Sequence, residues 1–297
     1  MSEQRHGLVV VDKPAGWTSH DVVARLRRVY GQRRVGHAGT LDPDATGLLL
    51  VGLGQVTRLL RFLQLSTKEY RGEVVFGVAT STLDAAGDVV DRAPMALTDD
   101  DVEGALVRFR GEIDQLPPMV SAVKVGGRRL HELARAGQEV DRPHRRVRID
   151  RFELERLEPG PYPVATLSVE CSSGTYVRSL AADLGAALGG CAHLRRLRRV
   201  RSGSFTLDEA RPLEEIERDL DVALEAPLVA ARDLDRITVD DEQARAVAHG
   251  VVFPAAVLCG DAQPGPFAVV GPAGSLLAVY ERRGVALKPA VVLSEAA

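Results

Sequence analysis

Three cysteines, at 171, 191 and 259, are too scattered for a zinc site and odd in number for a disulfide framework. Cys171 and Cys191 read instead as reduced, buried small hydrophobes. Aromatic residues make up only 4% of the chain, so any base stacking has to rest on very few rings. Long apolar runs are missing too. No stretch approaches a membrane span, and the opening MSEQRHGLVVVDKP lacks the pattern of a secretory leader. The expectation is a cytoplasmic protein with no membrane partner. Neither the cysteines nor the seven histidines show metal-ligand spacing, so the sequence calls for no metal.

What is present is ordinary in total and uneven in distribution. Hydrophobic content of 45%, charged content of 27% and a formal net charge of -3 describe a soluble globular chain, and 297 residues allow two domains. Between Lys124 and Arg148 stand eight Lys/Arg against three acids, and residues 195–201 hold five Arg and no acid. Residues 208–242 hold thirteen acids against four Arg. A basic middle of this kind is either a solvated face or a nucleic-acid surface.

The densest stretch is residues 36–50, GHAGTLDPDATGLLL. Gly36 and Gly39 let the backbone take unusual conformations or approach a ligand closely. Pro43 pushes Asp42 out of the helical region, so its carboxylate is presented. Thr46 is expected to cap a helix whose N-terminus would lie near Asp42 and favour an anion there. A nucleophile or acid facing a phosphate-bearing substrate is one reading. Another is plain surface punctuation. A third is the D-x-D-x-T pattern of magnesium-dependent aspartyl phosphatases, spelled by Asp42, Asp44 and Thr46, although RRVGHAGTL before it makes a poor strand.

Elsewhere, Leu8 to Val11 reads as a buried strand, and Thr18-Ser19 supplies the N-cap of a helix with Val22, Val23, Leu26 and Val29 on one face. Val56, Leu59, Leu60 and Leu63 mark another helix. Residues 69–77 form a strand with Tyr70, Val74 and Phe76 inward. Thr98 caps a helix with an acidic first turn. Residues 117–148 are basic, broken by Gly and Pro and thin in apolar residues, which suggests a mobile arm or insertion. Residues 166–171 alternate as a half-buried strand, then turn into a helix with Tyr176 and Arg178 at the junction. Beyond about 235, short β-like runs separated by Gly and Pro suggest a small all-β module.

VVDKPAGWTSHDVV, VGHAGTLDPDATGLLLVGLGQVTRLL, KEYRGEVVFG, PPMVSAVKVGGRRLHELARAGQEV and SSGTYVRSLAADLG, in this order, closely resemble the bacterial TruB family of tRNA pseudouridine synthases. The likeness covers nearly all of residues 7–205, and the tail from about 236 is more loosely similar to the family's PUA-type RNA-binding domain. The resemblance implies an α+β fold: a pseudouridine-synthase-like mixed sheet with flanking helices over residues 1–235, and a β-rich PUA-like domain over 236–297. It implies isomerisation of uridine 55 in the T-loop of tRNA. Asp42 would be the nucleophile, Arg178 its partner, and Tyr70 the ring that stacks on the flipped base and a candidate for the proton transfers. Tyr176 and Leu197 would line the pocket, and His37 would help hold the loop after the uridine swings out. Lys13 belongs to the family's KP motif, credited with structural support and counted with the substrate-contacting residues. Lys124, Arg145 and Arg146 would sit on an arm gripping the T-arm. Val120 stands where many relatives carry an aromatic residue. Breaking and remaking one glycosidic bond requires no redox change, so no cofactor is implied. The resemblance further implies tRNA as the partner, no guide RNA, and a monomer. A protein that mainly binds or folds RNA is the competing reading from another class.

Overall fold

Strands are the main regular structure of this molecule, several of them alternating apolar and polar residues. The computed structural model describes residues 4–121, 124–125, 128–129, 140–258 and 264–293. Within the described residues the order is β1 (Gly7–Lys13), α1 (Ser19–Val29), β2 (Val35–Ala38), β3 (Thr46–Leu53), α2 (Leu60–Leu65), β4 (Lys68–Phe76), β5 (Val78–Thr80), β6 (Val89–Arg92), α3 (Asp99–Leu106) and β7 (Gly111–Gln115). There follow β8 (Lys124–Val125), β9 (Arg128–Arg129), β10 (Arg145–Glu158), β11 (Val164–Cys171), α4 (Val177–Ala187), β12 (Ala192–Ser202), β13 (Phe205–Thr206) and α5 (Leu213–Arg218). The main sheet runs β1-β3-β12-β4-β11-β10-β7, with β2 added on β3 and β13 on β12. Only β3 and β12 pair in parallel there, so the sheet is mixed.

The helices cover the apolar side of each strand. Val102, Ala105 and Leu106 of α3 and Leu180, Ala181 and Leu184 of α4 pack on Tyr70, Val74, Phe76, Phe152, Leu167 and Val169. Val22, Val23 and Leu26 of α1 pack on Val9, Val11, Leu49 and Val51. Thr18 caps α1 through a reciprocal pair with Asp21, and Thr98 caps α3 with Asp101 in the same way.

Two expectations are corrected. Thr46 caps no helix: residues 46–53 are β3, buried along nearly their whole length because β1, β2 and β12 all pair with it. A continuous short apolar run is also the mark of a fully buried strand, and here tertiary pairing decides. The basic stretch 117–148 is likewise not one arm. Arg145, Arg146 and Arg148 begin β10, with Val147 and Ile149 pointing into the core and Arg145 to Ile149 paired against β7. The density of arginine hid a period of two. Residues 122–123, 126–127 and 130–139 of the expected arm lie outside the described residues, and Lys124 is placed only as the start of β8.

The run of arginines at 195–201 is also part of the sheet. On β12, Arg195 pairs with Glu73 at 2.8 Å, Arg198 with Asp12 at 2.7 Å and Arg201 with Glu170 at 2.5 Å. Arg199 is buried. Most of that charge is neutralised within the fold rather than offered as a free cationic patch.

The C-terminal sheet runs β14-β16-β17-β18-β15, from β14 (Asp235–Thr238), β15 (Phe253–Pro254), β16 (Phe267–Val270), β17 (Leu276–Arg283) and β18 (Ala286–Val292). It also carries α6 (Asp241–Ala248), capped by Asp240 and Gln243, and a short helix, Ala255–Leu258, so the module is not all-β as its sequence suggested. Ala268, Val279 and Val291 pack with Leu8, Leu48, Leu50 and Leu60, which ties the module to the main sheet. Cys171 is buried and Cys191 half-buried, while Cys259 lies outside the described residues.

Gly47 is where β3 and β12 can approach. Its φ is +98°, and a Cβ there would fall 2.3 Å from the Arg199 carbonyl oxygen. Gly47→Ala should therefore destabilise the protein by more than about 1 kcal/mol, since it adds backbone strain to a steric conflict. Equilibrium denaturation measures this, and a change within about 0.5 kcal/mol would contradict it.

Candidate active site

The loop between β2 and β3 carries Asp42, and four contacts fix it. The Ser19 hydroxyl accepts from Leu41 N at 2.9 Å and donates to Leu41 O at 3.3 Å. Gly16 N donates to Pro43 O at 3.0 Å, and Ala45 N to Asp42 O at 3.1 Å. Lys13 Nζ donates to the carbonyls of Pro43 (2.9 Å), Pro14 (2.9 Å) and Trp17 (2.6 Å). All three ammonium protons are used and the side chain is fully buried. Lys13 is thus a clamp on the loop and not a substrate contact. Burial pushes its pKa down to about 8, against the pull of Asp44 and Asp42.

Arg178, the second residue of α4, meets Asp42 side-on. Its Nε lies 3.0 Å from Oδ2 and its Nη2 donates to Oδ1 at 3.1 Å. The Arg178 side chain is 5% exposed and that of Asp42 42%, so a buried cation presents an open carboxylate. Arg178 also donates to Val120 O at 2.9 Å and Thr82 O at 3.2 Å, and lies 3.4 Å from Asp84 Oδ2. Thr82 and Asp84 come from the turn between β5 and β6. The position of α4 is set from β7. The buried Gln115 side chain accepts from Tyr176 N at 2.7 Å and donates to Tyr176 O at 3.0 Å, while Ser179 Oγ donates to Leu116 O at 2.9 Å.

Tyr70, on β4, is buried beside the same recess. Burial raises its pKa, opposed by the charge of Arg199, its register partner on β12, so the phenol is neutral near pH 7. Arg199 also donates to Leu48 O at 2.7 Å and Gly39 O at 3.1 Å, joining Tyr70 to the Asp42 loop. A recess of about 250 Å³ is lined by Asp42, Tyr70, Tyr176, Arg178 and Leu197 among others. A second cavity of about 360 Å³ shares Asp42, Arg178 and Leu197 with it, so the carboxylate lies between the two.

Burial raises the Asp42 pKa; Arg178 pulls against this, Asp84 adds to it and Lys13 opposes it. The guanidinium occupies both carboxylate oxygens where a phosphatase would hold its metal, which speaks against the D-x-D-x-T reading. Nor does a helix N-terminus supply the positive charge, since β3 follows the loop.

The remaining expected residues are spread out. His37 lies on β2, edge-on to His20 with ring centroids 5.4 Å apart, and does not line the recess. Burial, with His20 and Arg199, pushes its pKa down to about 4, so it is neutral. The Arg145 guanidinium stands beside Gly174 in the turn that edges the recess, whereas Arg146 pairs with Glu112 at 2.6 Å. Sequence reasoning missed Gln115, Asp84, Arg199 and Ser19. A buried polar residue closing a strand, or a serine inside an apolar stripe, was the available signal for Gln115 and Ser19.

Family models match most of the chain: "TruB family pseudouridylate synthase (N terminal domain)" over residues 27–177, "tRNA pseudouridylate synthase B C-terminal domain" over 178–238, and "tRNA Pseudouridine synthase II, C terminal" over 234–294. A curated relative named tRNA pseudouridine synthase B, from Mycobacterium sp. (strain KMS), is 44% identical over 98% of this chain and 97% of its own. One of the same name from Symbiobacterium thermophilum is 52% identical over 82% of each. Among solved structures, a Cbf5-Nop10-Gar1 complex superposes with TM-score 0.75 at 26% identity, over 96% of this chain and 85% of that one. An H/ACA RNP bound to a substrate RNA containing 2'-deoxyuridine gives the same TM-score at 23% identity, over 97% and 85%. Fold and family matches together define a pseudouridine synthase, an isomerase. Within that class, the chain belongs to the TruB family.

Two outcomes follow from this geometry. Ser19→Ala leaves both polar groups of Leu41 without their partner and should cost about 1–3 kcal/mol in a denaturant titration; a loss below about 0.5 kcal/mol would mean the loop is held without it. The second concerns pH. The Asp42 pKa is raised, so an activity that needs its carboxylate form should fail on acidification at a higher pH than an ordinary aspartate would impose. Arg178→Met removes the opposing cation and should move the acid limb of the single-turnover rate further toward neutrality. Where that rate is too low to follow, the Asp42 carboxyl can be titrated by NMR. A limb that stays still or moves to lower pH would contradict the pairing.

Proposed function

We propose that this chain converts uridine to pseudouridine at position 55 in the T-loop of tRNA, with Asp42 as the nucleophile. The observation that carries this reading is the open Asp42 carboxylate held side-on by buried Arg178 at the mouth of a recess that also contains Tyr70. The relatives' names supply the choice of tRNA as substrate.

The target base lies in a folded loop and has to leave its stack, at a cost of a few kcal/mol, to enter the recess. Tyr70 stacks on it as a neutral ring. Asp42 attacks the ribose C1′, the C1′–N1 bond breaks, and uracil leaves with the electron pair on N1. The base turns in the recess between Tyr70, Leu197 and Tyr176. C5 then attacks C1′ and expels Asp42, the C5 proton is lost and N1 gains one, with Tyr70 the nearest candidate to carry the proton. Bonds broken and made balance without an oxidant or reductant, which is why the reading includes no cofactor and no metal.

The reading also includes direct recognition of the T-arm without guide RNA, by a monomer in the cytoplasm, with residues 236–297 acting as a PUA-like RNA-binding module. Contacts to the tRNA backbone come from Arg145 at the edge of the recess and from the segment that includes Lys124. Recognition of a folded RNA is by shape and phosphate contact more than by sequence.

Asp42→Asn should abolish pseudouridine formation while tRNA binding stays within a few-fold, and Asp44→Ala should lose little. Pseudouridine release assays on unmodified tRNA, with filter binding in parallel, measure both. Comparable damage from the two substitutions would revive the phosphatase pattern. An Asp42→Asn protein that kept every cellular function would favour an RNA-binding role.

A further inference from the structure

The loop that clamps Asp42 from below carries the chain's one tryptophan, and nothing in the mechanism uses it. Lys13 Nζ joins the carbonyls of Trp17 and Pro43, at 2.6 and 2.9 Å, and Gly16 N adds a bond to Pro43 O at 3.0 Å. Trp17 is therefore rigidly tied, through one ammonium group, to the residue that follows the nucleophile. Yet its side chain contributes nothing to that clamp. Trp17 remains 36% exposed, and among the described residues no other ring or cation is stacked on it.

Around it is a shallow cradle of about 330 Å³ lined by Gly16, Trp17, Asp21, Ala24 and Arg28. Asp21, Ala24 and Arg28 fall on one solvent-facing stripe of α1. Asp21 is occupied in capping the helix, accepting from Thr18 N at 2.8 Å and from the Thr18 hydroxyl at 2.6 Å. Its negative charge disfavours a phosphate close to Trp17. Arg28, two turns along, forms no ion pair among the described residues. The order along the stripe is thus an exposed π-face, an anion that repels phosphate, and then a free cation.

We infer that Trp17 is a stacking platform for a nucleobase of the RNA substrate that neighbours the target uridine, with Arg28 meeting a phosphate further along the strand. This rests on the proposed action on RNA. A flat ring on a rigid loop offers a base its whole face at little entropic cost, and stacking of this kind tolerates any base identity. Because the ring is tied to the loop that carries Asp42, a base stacked there also fixes the ribose register at the nucleophile.

The single tryptophan makes the test direct, because its fluorescence reports this site alone. The full chain carrying Asp42→Asn, which holds substrate unreacted, is titrated with unmodified tRNA and with tRNAs bearing one abasic residue at each position flanking the target. Saturable quenching that is lost for one abasic position is expected. In the otherwise native chain, Trp17→Ala should raise KM about tenfold with kcat within about twofold, and Trp17→Phe should restore KM. Trp17→Leu, which keeps bulk without the π-face, should behave as Trp17→Ala and so separates stacking from a folding defect. Quenching absent, quenching indifferent to every abasic site, or an unchanged KM in Trp17→Ala would overturn the inference while leaving a wild-type enzyme that still forms pseudouridine. A wild-type chain that forms none would overturn the function on which it rests.

Discussion

The side-on pairing of Arg178 with Asp42 is the constraint on which the site depends. A guanidinium buried to this degree is tolerable only if its donors are met, and the fold meets them with one carboxylate, two backbone carbonyls and the nearby Asp84. Those partners come from three separated segments, the β2–β3 loop, the β5–β6 turn and the chain after β7, and Arg178 joins them to α4. One side chain thereby sets the distance between pieces of the chain far apart in sequence. The same pairing favours the charged form of the Asp42 carboxyl and so opposes the upward shift that its burial imposes.

Around this pair the molecule spends its buried polar groups on position. Lys13 and Ser19 hold the Asp42 loop by its carbonyls and amide, Gln115 grips both polar backbone groups of Tyr176, and Arg199 links Tyr70 to Gly39 and Leu48. Each acts on backbone, whose position is determined by the sheet, so the reacting groups inherit the rigidity of β3, β4 and β12. Such preorganisation lets a carboxylate hold its place without rearranging when charge develops nearby.

Much of this was legible beforehand. The capped helices α1 and α3, the alternation of β4 and β11, and the presented Asp42 followed from turn chemistry and periodicity, and the ordered motifs pointed to the family. What was misread shares a cause. Thr46 to Leu53 looks like a capped helix in isolation and becomes a strand because three neighbours pair with it. Arg145 to Arg148 and Arg195 to Arg201 look like cationic runs and prove to be strands, with acids on the next strand, at Glu112 and Glu73, or one strand further, at Asp12 and Glu170, pairing with Arg146, Arg195, Arg198 and Arg201. Partners set by sheet register cannot be seen from composition. The role of Arg199 was invisible for the same reason.

The most direct test of the account is to incubate the protein with unmodified tRNA and map every pseudouridine at nucleotide resolution. The account predicts one new pseudouridine, at uridine 55 of the T-loop. Formation at another position only, scattered formation across the molecule, or none at all would contradict it.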